Sequence, residues 1–176
     1  MTAADVTSAL PNVPAPYFLG EADGDKLVLF DQLFTLLTTG TQTDGQFDAF
    51  FNDGRPGQAV PPHFHALTHE TFFVMEGAIR LWVDDQQGNR QTRILEAGEF
   101  GYVPKNTIHS YRIERTGRIF GITSAGFTDF FRAVGRPTAQ AGIPEPADFH
   151  IPPLELLGAE GAKHDVNFVP GYELFD

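Results

Sequence analysis

The sequence contains no cysteine. This absence excludes disulfide bonds, thiolate zinc sites, iron–sulfur clusters and cysteine nucleophiles, and it leaves the redox compartment open. Basic residues are also few, with 12 Lys and Arg against 23 Asp and Glu and a formal net charge of −11. Because phosphate groups are bound by basic surfaces, we expect no nucleic-acid partner, and binding to an anionic membrane surface is disfavoured.

Long apolar runs are missing as well. No segment reaches the roughly 20 consecutive apolar residues that are needed to cross a bilayer. Residues 1–16 lack the basic and apolar regions of a secretory signal peptide. We therefore expect a cytoplasmic protein with no membrane partner.

Phenylalanine, glycine and proline are abundant instead, with 17, 18 and 13 residues in a chain of 176. This composition favours many short strands and tight turns over a helical bundle. Turn pairs such as Asp53-Gly54 and Gly88-Asn89 separate apolar runs at even spacing, which is typical of an antiparallel sandwich or barrel. The predicted strands are 26–30, 33–39, 46–52, 60–65, 69–75, 78–84, 92–95, 99–103, 107–113 and 118–124.

The pattern changes after the last predicted strand. Thr128 can cap a short helix over 128–134, and Gly135 follows at its end. Residues 154–165 are predicted as a second helix, which two internal glycines weaken. We divide the chain into an N-terminal arm (1–16), a barrel (17–126) and C-terminal helices with a tail packed on the barrel (127–176).

Four residues stand at a spacing that suits metal ligands: His63, His65, Glu70 and His109. Side chains alternate between the two faces of a strand, so His63 and His65 point to the same side. Glu70 can meet them from the neighbouring strand, and His109 from a third. Imidazole and carboxylate donors together suit zinc, iron, nickel, cobalt, copper or manganese.

Glycines and a proline frame these residues in two segments. The first reads Gly57-x5-His63-x-His65-x4-Glu70-x6-Gly77, and the second Gly98-x5-Pro104-x4-His109. Both segments resemble the two motifs of the cupin superfamily. The second motif departs twice, with Asn106 where the family usually has glycine and Ile113 where it usually has asparagine, and neither position is a ligand. The resemblance implies a small jelly-roll β-barrel that holds a metal through His63, His65, Glu70 and His109.

A closer resemblance narrows the expected function. The run from Phe100 to Arg115, the Pro16-Tyr-Phe near the start and the helix at Phe127-Thr-Asp-Phe-Phe are similar to bacterial single-domain quercetinases. That resemblance implies a dioxygenase that opens the central ring of a flavonol with dioxygen and releases carbon monoxide. It also implies one divalent transition metal per chain (nickel, cobalt, manganese or iron) and a homodimer.

Within this reading, Glu70 has two roles, as a metal ligand and as the catalytic base that accepts the proton of the flavonol 3-hydroxyl group. A planar polyphenol requires an apolar, aromatic cleft. By strand alternation from Glu70 and His109, Phe72 and Tyr111 should face inward. Phe127 and Phe131 can close the mouth from the helix. For each of these four aromatic residues, ordinary core packing is the alternative.

Other functions remain open at this point. The chain can be another metal-dependent cupin enzyme, either a dioxygenase of a different phenolic or enolic substrate or a sugar isomerase. It can also be a non-catalytic cupin that binds a small molecule. An isomerase of phosphorylated sugars needs basic residues at the mouth, but the local candidates Lys105, Arg112 and Arg115 are predicted to face outward. The remaining histidines, at 69, 150 and 164, are predicted to be solvated.

Overall fold

The computed structural model describes residues 8–20 and 22–176, which form an antiparallel β-barrel followed by a short helical extension. All strand pairs in the described chain are antiparallel, as the spacing of the turn residues predicts. The all-β fold class is therefore confirmed. The strands are β1 (Asp25–Leu29), β2 (Gln32–Thr38), β3 (Phe47–Gly54), β4 (His63–Phe64), β5 (Glu70–Asp84), β6 (Arg90–Glu96), β7 (Phe100–Val103), β8 (Ile108–Ser124), β9 (Arg136–Pro137) and β10 (Asn167–Phe168).

The long strand β8 connects the two halves of the barrel. It pairs with β5 along nearly its whole length, with β3 through its second half, and with β4 at His109. On one side the sheet continues from β3 through β2 and β1 to β9, and on the other β5 pairs with β6 and β7. Strand β8 therefore joins the part of the sheet that contains β1 to β3 to the part that contains β5 to β7.

Two pairs of predicted strands are single strands in the structure. The segments 69–75 and 78–84 form β5, and 107–113 and 118–124 form β8. Gly77 has a φ of 77°, and the pairing register shifts around it, so the interruption is a bulge and not a turn. Gly117 lies against the main chain of Glu76, an approach that leaves no room for a side chain. Pairing therefore continues on both sides of these glycines.

Two apolar clusters fill the barrel and the space beneath the helices. Phe34, Leu36 and Phe50 from β2 and β3 pack against Phe127 and Phe131 of the first helix. The second cluster is formed by residues of strands β5 to β8 that alternate along each strand, as expected when one face of a strand is buried. Its members are Phe72, Val74, Ile79, Leu81, Leu95, Val103, Tyr111, Ile113 and Ile119.

Two α-helices follow the barrel in the described chain, α1 (Phe127–Val134) and α2 (Leu154–Lys163). A short 3-10 helix, Pro146–Asp148, lies between them. Helix α2 ends two residues before the predicted 165, at a turn around Asp165, whose φ is 60°. After that turn β10 pairs with β4, which places the C-terminal segment beside the barrel mouth.

The chain before β1 contacts the barrel within its described part. Ser8 and the main-chain N–H of Ala9 both donate to the carboxylate of Asp25, and Leu10 is buried in the first apolar cluster. The division into arm, barrel and tail at residues 16 and 126 stays a prediction. Within residues 8–20 and 22–176, no helix has the length and apolar character required to span a membrane.

We predict opposite effects for alanine at two glycines. Gly117→Ala should lower the free energy of unfolding by about 1–3 kcal/mol or more, because a Cβ would overlap the carbonyl oxygen of Glu76. Gly158→Ala should raise it by roughly 0.5–1 kcal/mol, because that site lies within α2, has open space and gains helix propensity. Urea denaturation of both variants measures the difference, and equal effects would contradict the assignment of Gly117 to a close strand crossing.

Candidate metal centre

The barrel brings together four side chains that are far apart in the sequence. His63 on β4 lies directly opposite His109 on β8 in the strand register, and Glu70 is the first residue of β5. His65 follows β4 by one residue. One donor atom from each of His63, His65, Glu70 and His109 lies within 4.8 Å of the others. We call these four residues the ligand group, and they are the four that the sequence predicts.

Each histidine of the ligand group is oriented by a main-chain carbonyl. The Nδ1 atoms lie 2.8 Å from the Pro61 oxygen for His63, 2.6 Å from the Asp165 oxygen for His65, and 3.0 Å from the Thr107 oxygen for His109. A carbonyl oxygen only accepts hydrogen bonds, so each Nδ1 carries a proton. The Nε2 atom of each neutral ring is then the one with a lone pair for a metal.

The distances around Glu70 fit the spacing of ligands on one ion. Its Oε2 lies 2.9 Å from the Nε2 of His109 and 3.6 Å from the Nε2 of His65. The second distance is too long for a hydrogen bond, and the Nε2 of His65 is a buried polar atom without a partner among the described residues. Ligand atoms about 2.1 Å from a metal lie roughly 3 Å apart when they are adjacent. The ligand group can therefore hold a divalent metal.

Electrostatics favour the neutral ring of His63 and the ionised carboxylate of Glu70, which a metal requires, whereas at His65 the contacts with Glu70 and Asp165 outweigh burial and raise the pKa of the ring. Burial lowers the pKa of His63 well below its ordinary value, and the charges of His109 and His65 lower it further, so the ring stays neutral. Burial by itself would raise the pKa of Glu70. The interactions with His109 and His65 outweigh that effect and hold the pKa of Glu70 well below its ordinary value, so the carboxylate stays ionised.

Asp165 is a residue of the site that sequence reasoning missed. Its carboxylate accepts hydrogen bonds from the main-chain N–H groups of Ala66, Leu67 and Thr68, at 2.8, 2.8 and 3.0 Å. Its own carbonyl oxygen accepts the hydrogen bond from His65. One residue thus fixes both the ring of His65 and the loop that leads to Glu70. The one local sign in the sequence is an aspartate just after a helix, which is too common to be diagnostic.

A cavity of about 60 Å³ opens beside the ligand group, and His63, Glu70 and His109 form part of its wall. The four aromatic residues that the sequence proposes for a substrate pocket also line it: Phe72, Tyr111, Phe127 and Phe131. All four belong to the apolar clusters, so they serve as core residues and cavity wall at once. Their contact with a substrate stays a prediction.

Few polar side chains other than those of the ligand group line the cavity. Burial raises the pKa of Tyr111, and the charge of Glu70 raises it further, so the phenol stays protonated. Its hydroxyl donates to Oε1 of Gln32 at 2.8 Å and lies 3.4 Å from Oδ1 of Asn52. The side-chain nitrogen of Asn52 is buried without a partner among the described residues. Sequence reasoning missed Gln32 and Asn52, because polar residues on inward strand positions carry no motif.

The other histidines differ in their surroundings. His69 is exposed as predicted, and its ring stacks on Tyr102 on the outer surface. The prediction that His150 is solvated is wrong, because it is half-buried and its Nε2 lies 3.0 Å from the carbonyl oxygen of Val134. His164 is also partly covered and lies 3.6 Å from Glu160. Neither residue is near the ligand group in sequence or in strand pairing.

Among the basic residues near the second motif, Lys105 and Arg115 are exposed. Arg112 is paired with Glu114 at 2.6 Å and lies over the ring of Trp82. None of these three residues lines the cavity. These three side chains therefore face away from the cavity, as strand alternation predicts.

The segment that carries the ligand group matches a known family. The model of the family described as the cupin domain matches residues 54–120, which run from the end of β3 into β8. The barrel is a cupin domain. The helices, β10 and Asp165 of this cupin lie outside the matched residues.

Two curated relatives of this cupin are quercetin 2,3-dioxygenases. The chain is 36% identical to the one from Bacillus subtilis (strain 168) over 130 residues, which are 73% of this chain and 37% of that protein. It is 29% identical to the one from Aspergillus japonicus over 142 residues, or 76% and 40% of the two chains. The chain thus spans about two fifths of the length of these curated relatives.

Solved structures with the same fold are more distant in sequence. KdgF from Halomonas sp. superimposes with a TM-score of 0.51 at 16% identity, over 62% of this chain and 94% of that one. Oxalate decarboxylase from Bacillus subtilis gives a TM-score of 0.51 at 17% identity, over 59% and 27% of the two chains. At this identity the likeness supports the barrel fold and no particular activity.

We predict that Asp165→Asn lowers the affinity for Co²⁺ about 10- to 100-fold, the usual effect of losing a group that orients a ligand. Asparagine tolerates the left-handed backbone of residue 165, so the hydrogen bond from His65 to its main-chain carbonyl should remain. The main-chain N–H groups of the loop after His65 would lose one of the two carboxylate oxygens that accept from them. Competition with a chromophoric chelator measures the affinity without reference to any catalytic activity.

Asp48→Asn is the matched control for this experiment. The Asp48 carboxylate is also buried and accepts three hydrogen bonds, from Gly40 and from the N–H and hydroxyl of Thr128, but it contacts no member of the ligand group. We expect this variant to lose stability and to keep its Co²⁺ affinity. The same affinity loss in both variants, or in neither, would contradict a specific role of Asp165.

Proposed function

We propose that this cupin is a metal-dependent flavonol dioxygenase, which opens the central heterocycle of a flavonol such as quercetin with dioxygen and releases carbon monoxide. One observation carries the proposal. The ligand group opens onto an aromatic-walled cavity in a chain that is 36% identical, over 73% of its length, to a quercetin 2,3-dioxygenase. An apolar cavity with a few directed polar groups is the kind of site that binds a flat polyphenol.

The ligand group would hold one divalent transition ion, with nickel, cobalt, manganese and iron as the candidates. When bound, such an ion supplies positive charge that makes a coordinated hydroxyl group more acidic. Four protein ligands leave one or two positions of a five- or six-coordinate ion for other groups. The carbonyl bonds at each Nδ1 would keep the three rings directed at the ion throughout a turnover.

Glu70 is the residue that would accept the proton of the flavonol 3-hydroxyl group. It is the one carboxylate among the described residues that line the cavity, and its net environment keeps it ionised. A carboxylate has two oxygens, so Glu70 can bind the ion through one and receive the proton on the other. The positions of Phe72, Tyr111, Phe127 and Phe131 support their role in sandwiching the flat rings and excluding water.

The cavity wall disfavours one alternative. No lysine or arginine is among the described residues that line it, so a phosphorylated sugar would find no cationic partner there. An isomerase of such sugars therefore has less support than an oxygenase of an apolar, phenolic substrate. A cupin that binds a small molecule without converting it is distinguished by the assay below.

The test is to add quercetin in air to protein loaded with Ni²⁺, Co²⁺, Mn²⁺ or Fe²⁺ and to follow the flavonol absorbance together with carbon monoxide. We expect both signals, and we expect Glu70→Gln to lower the rate roughly 10²- to 10⁴-fold while some metal stays bound. His69→Ala is the control and should keep the activity, since that ring lies on the outer surface.

Each departure from this result has a distinct meaning. Loss of the flavonol without carbon monoxide would keep an oxygenase and change its chemistry. Full activity of Glu70→Gln would remove the role of Glu70 as base. Binding of quercetin without turnover under any of the four metals would favour a non-catalytic binding protein.

We further propose that two copies of the chain pair through the outer face of the barrel. Four phenylalanines lie in one row across neighbouring strands, because the register places Phe51 opposite Phe120, Phe120 opposite Phe73, and Phe73 opposite Phe100. Tyr102 and Ile122 lie two residues along β7 and β8 from Phe100 and Phe120 and widen this face, and Phe100 is 59% exposed. The basic residue beside it, Arg118, is ion-paired with Asp53 at 2.6 Å. On a chain with a net charge of −11, such a face allows contact with little repulsion.

Sedimentation equilibrium tests this surface. Phe100→Glu should convert a dimer into a monomer, because a carboxylate within an apolar interface loses its hydration. Leu154→Glu is the control, since Leu154 is 86% exposed on α2, away from this face. A wild-type monomer, or a Phe100→Glu dimer, would show that the row is not a dimer interface.

A further inference from the structure

A second pocket adjoins the cavity of the ligand group. Phe30, Gln32, Val60 and Pro61 line both the inner cavity and this outer pocket. The outer pocket has a volume of about 340 Å³, and Asp31, Gln58, Ala59, Phe149 and Ile151 complete its wall. The two spaces are therefore neighbours that are separated by shared side chains.

Size distinguishes the two spaces. The inner cavity of about 60 Å³ is small against the roughly 300–1,000 Å³ of pockets that enclose ligands of this class. The outer pocket of about 340 Å³ lies within that range. A three-ring flavonol with its reacting oxygens at the ligand group would therefore extend past Phe30 into the outer pocket.

Phe30 stands at the boundary in a strained conformation. Its φ is 56°, a left-handed value that is rare for a bulky residue and that the surroundings must stabilise. The main chain of His150 supplies that support, since the two residues exchange N–H to carbonyl bonds of 2.6 and 3.0 Å. The same bridge brings the neighbours of His150, Phe149 and Ile151, to the outer pocket. One contact thus places both the boundary residue and the outer wall.

The outer pocket combines apolar walls with one charged acceptor. The carboxylate of Asp31 has no hydrogen-bond or ion-pair partner within residues 8–20 and 22–176. Gly57 lies close to this carboxylate, where a side chain would overlap it. An unpaired carboxylate beside Phe30, Phe149 and Ile151 suits a ligand that is aromatic, uncharged and able to donate a hydrogen bond. A hydroxylated phenyl ring has these properties, and an anionic conjugate would be repelled.

We infer that the outer pocket is a second compartment of the substrate site, which rests on the proposed flavonol dioxygenase function. It holds the hydroxylated phenyl ring that projects from the fused rings of a flavonol, and Asp31 accepts a hydrogen bond from a hydroxyl group of that ring. The phenyl ring is joined by a single bond and can twist to pass Phe30, which the fused rings cannot do. Phe30 then separates the reacting heterocycle from the projecting ring.

The first test compares two flavonols that differ in the projecting ring. Quercetin carries two hydroxyl groups there and galangin carries none, so binding to the metal-loaded protein is measured for both without oxygen. Asp31→Leu should weaken quercetin binding on the order of tenfold, the effect of losing a hydrogen bond to a charged acceptor, and leave galangin within twofold. Asp31→Asn retains an acceptor oxygen and should recover part of the quercetin affinity.

The second test reduces the space in the outer pocket. Ile151 is 74% exposed, so Ile151→Trp can be accommodated by the fold and should weaken binding of both flavonols at least fivefold. It should not change the binding of 3-hydroxychromone, which has no projecting ring. Leu154→Trp is the matched control, because Leu154 is 86% exposed and does not line either space.

The outcomes separate this inference from the function on which it rests. The second compartment would be overturned if Asp31→Leu weakened quercetin and galangin binding equally. It would also be overturned if quercetin binding were unchanged in both Asp31→Leu and Ile151→Trp. In either case the proposed flavonol cleavage would stand. If the wild-type protein binds none of the three compounds, the proposed function is wrong and the second compartment is wrong with it.

Discussion

The hydrogen bond from each histidine Nδ1 to a main-chain carbonyl is the interaction on which the site depends. The three carbonyls belong to Pro61, Thr107 and Asp165, which lie on separate segments of the chain. Each bond selects the tautomer whose Nε2 faces the common centre. The rings converge only when β4, β8 and the C-terminal segment are docked together, so the metal centre and the tertiary fold form as one unit.

Burial of the ligand group in an aromatic barrel explains why it is suited to a metal. Removing a carboxylate and three imidazoles from water is unfavourable unless other groups replace the lost hydration. Within the described chain, the Nε2 of His109 lies 2.9 Å from Oε2 of Glu70 with no proton between them in this tautomer, and the Nε2 of His65 has no partner. A divalent ion that binds all four donors would satisfy these groups together. The apolar walls would then keep its remaining positions free from bulk water and available to an apolar substrate.

The C-terminal segment contributes more to the site than its distance in sequence suggests. Asp165 orients His65 and the loop before Glu70, β10 pairs with the strand of His63, and His150 supports the strained Phe30. All three lie beyond residues 54–120, the part that matches the family model. The family motifs therefore supply the ligands, while the segment outside the match positions His65 and adds Phe149 and Ile151 to the wall of the outer pocket. Differences in substrate among related barrels can arise there without any change in the ligand group.

The sequence by itself determined the strand-rich barrel, the four members of the ligand group and the inward direction of Phe72 and Tyr111. These follow from strand alternation and from fixed spacing, which are local properties of the chain. The tertiary structure alone decided that Gly77 and Gly117 lie inside long strands, with a bulge at Gly77, since a glycine permits either a bulge or a turn. It also decided the roles of Asp165, Phe30 and Gln32. Their contacts join residues that are far apart in the sequence, and such contacts leave no periodic signal in the chain.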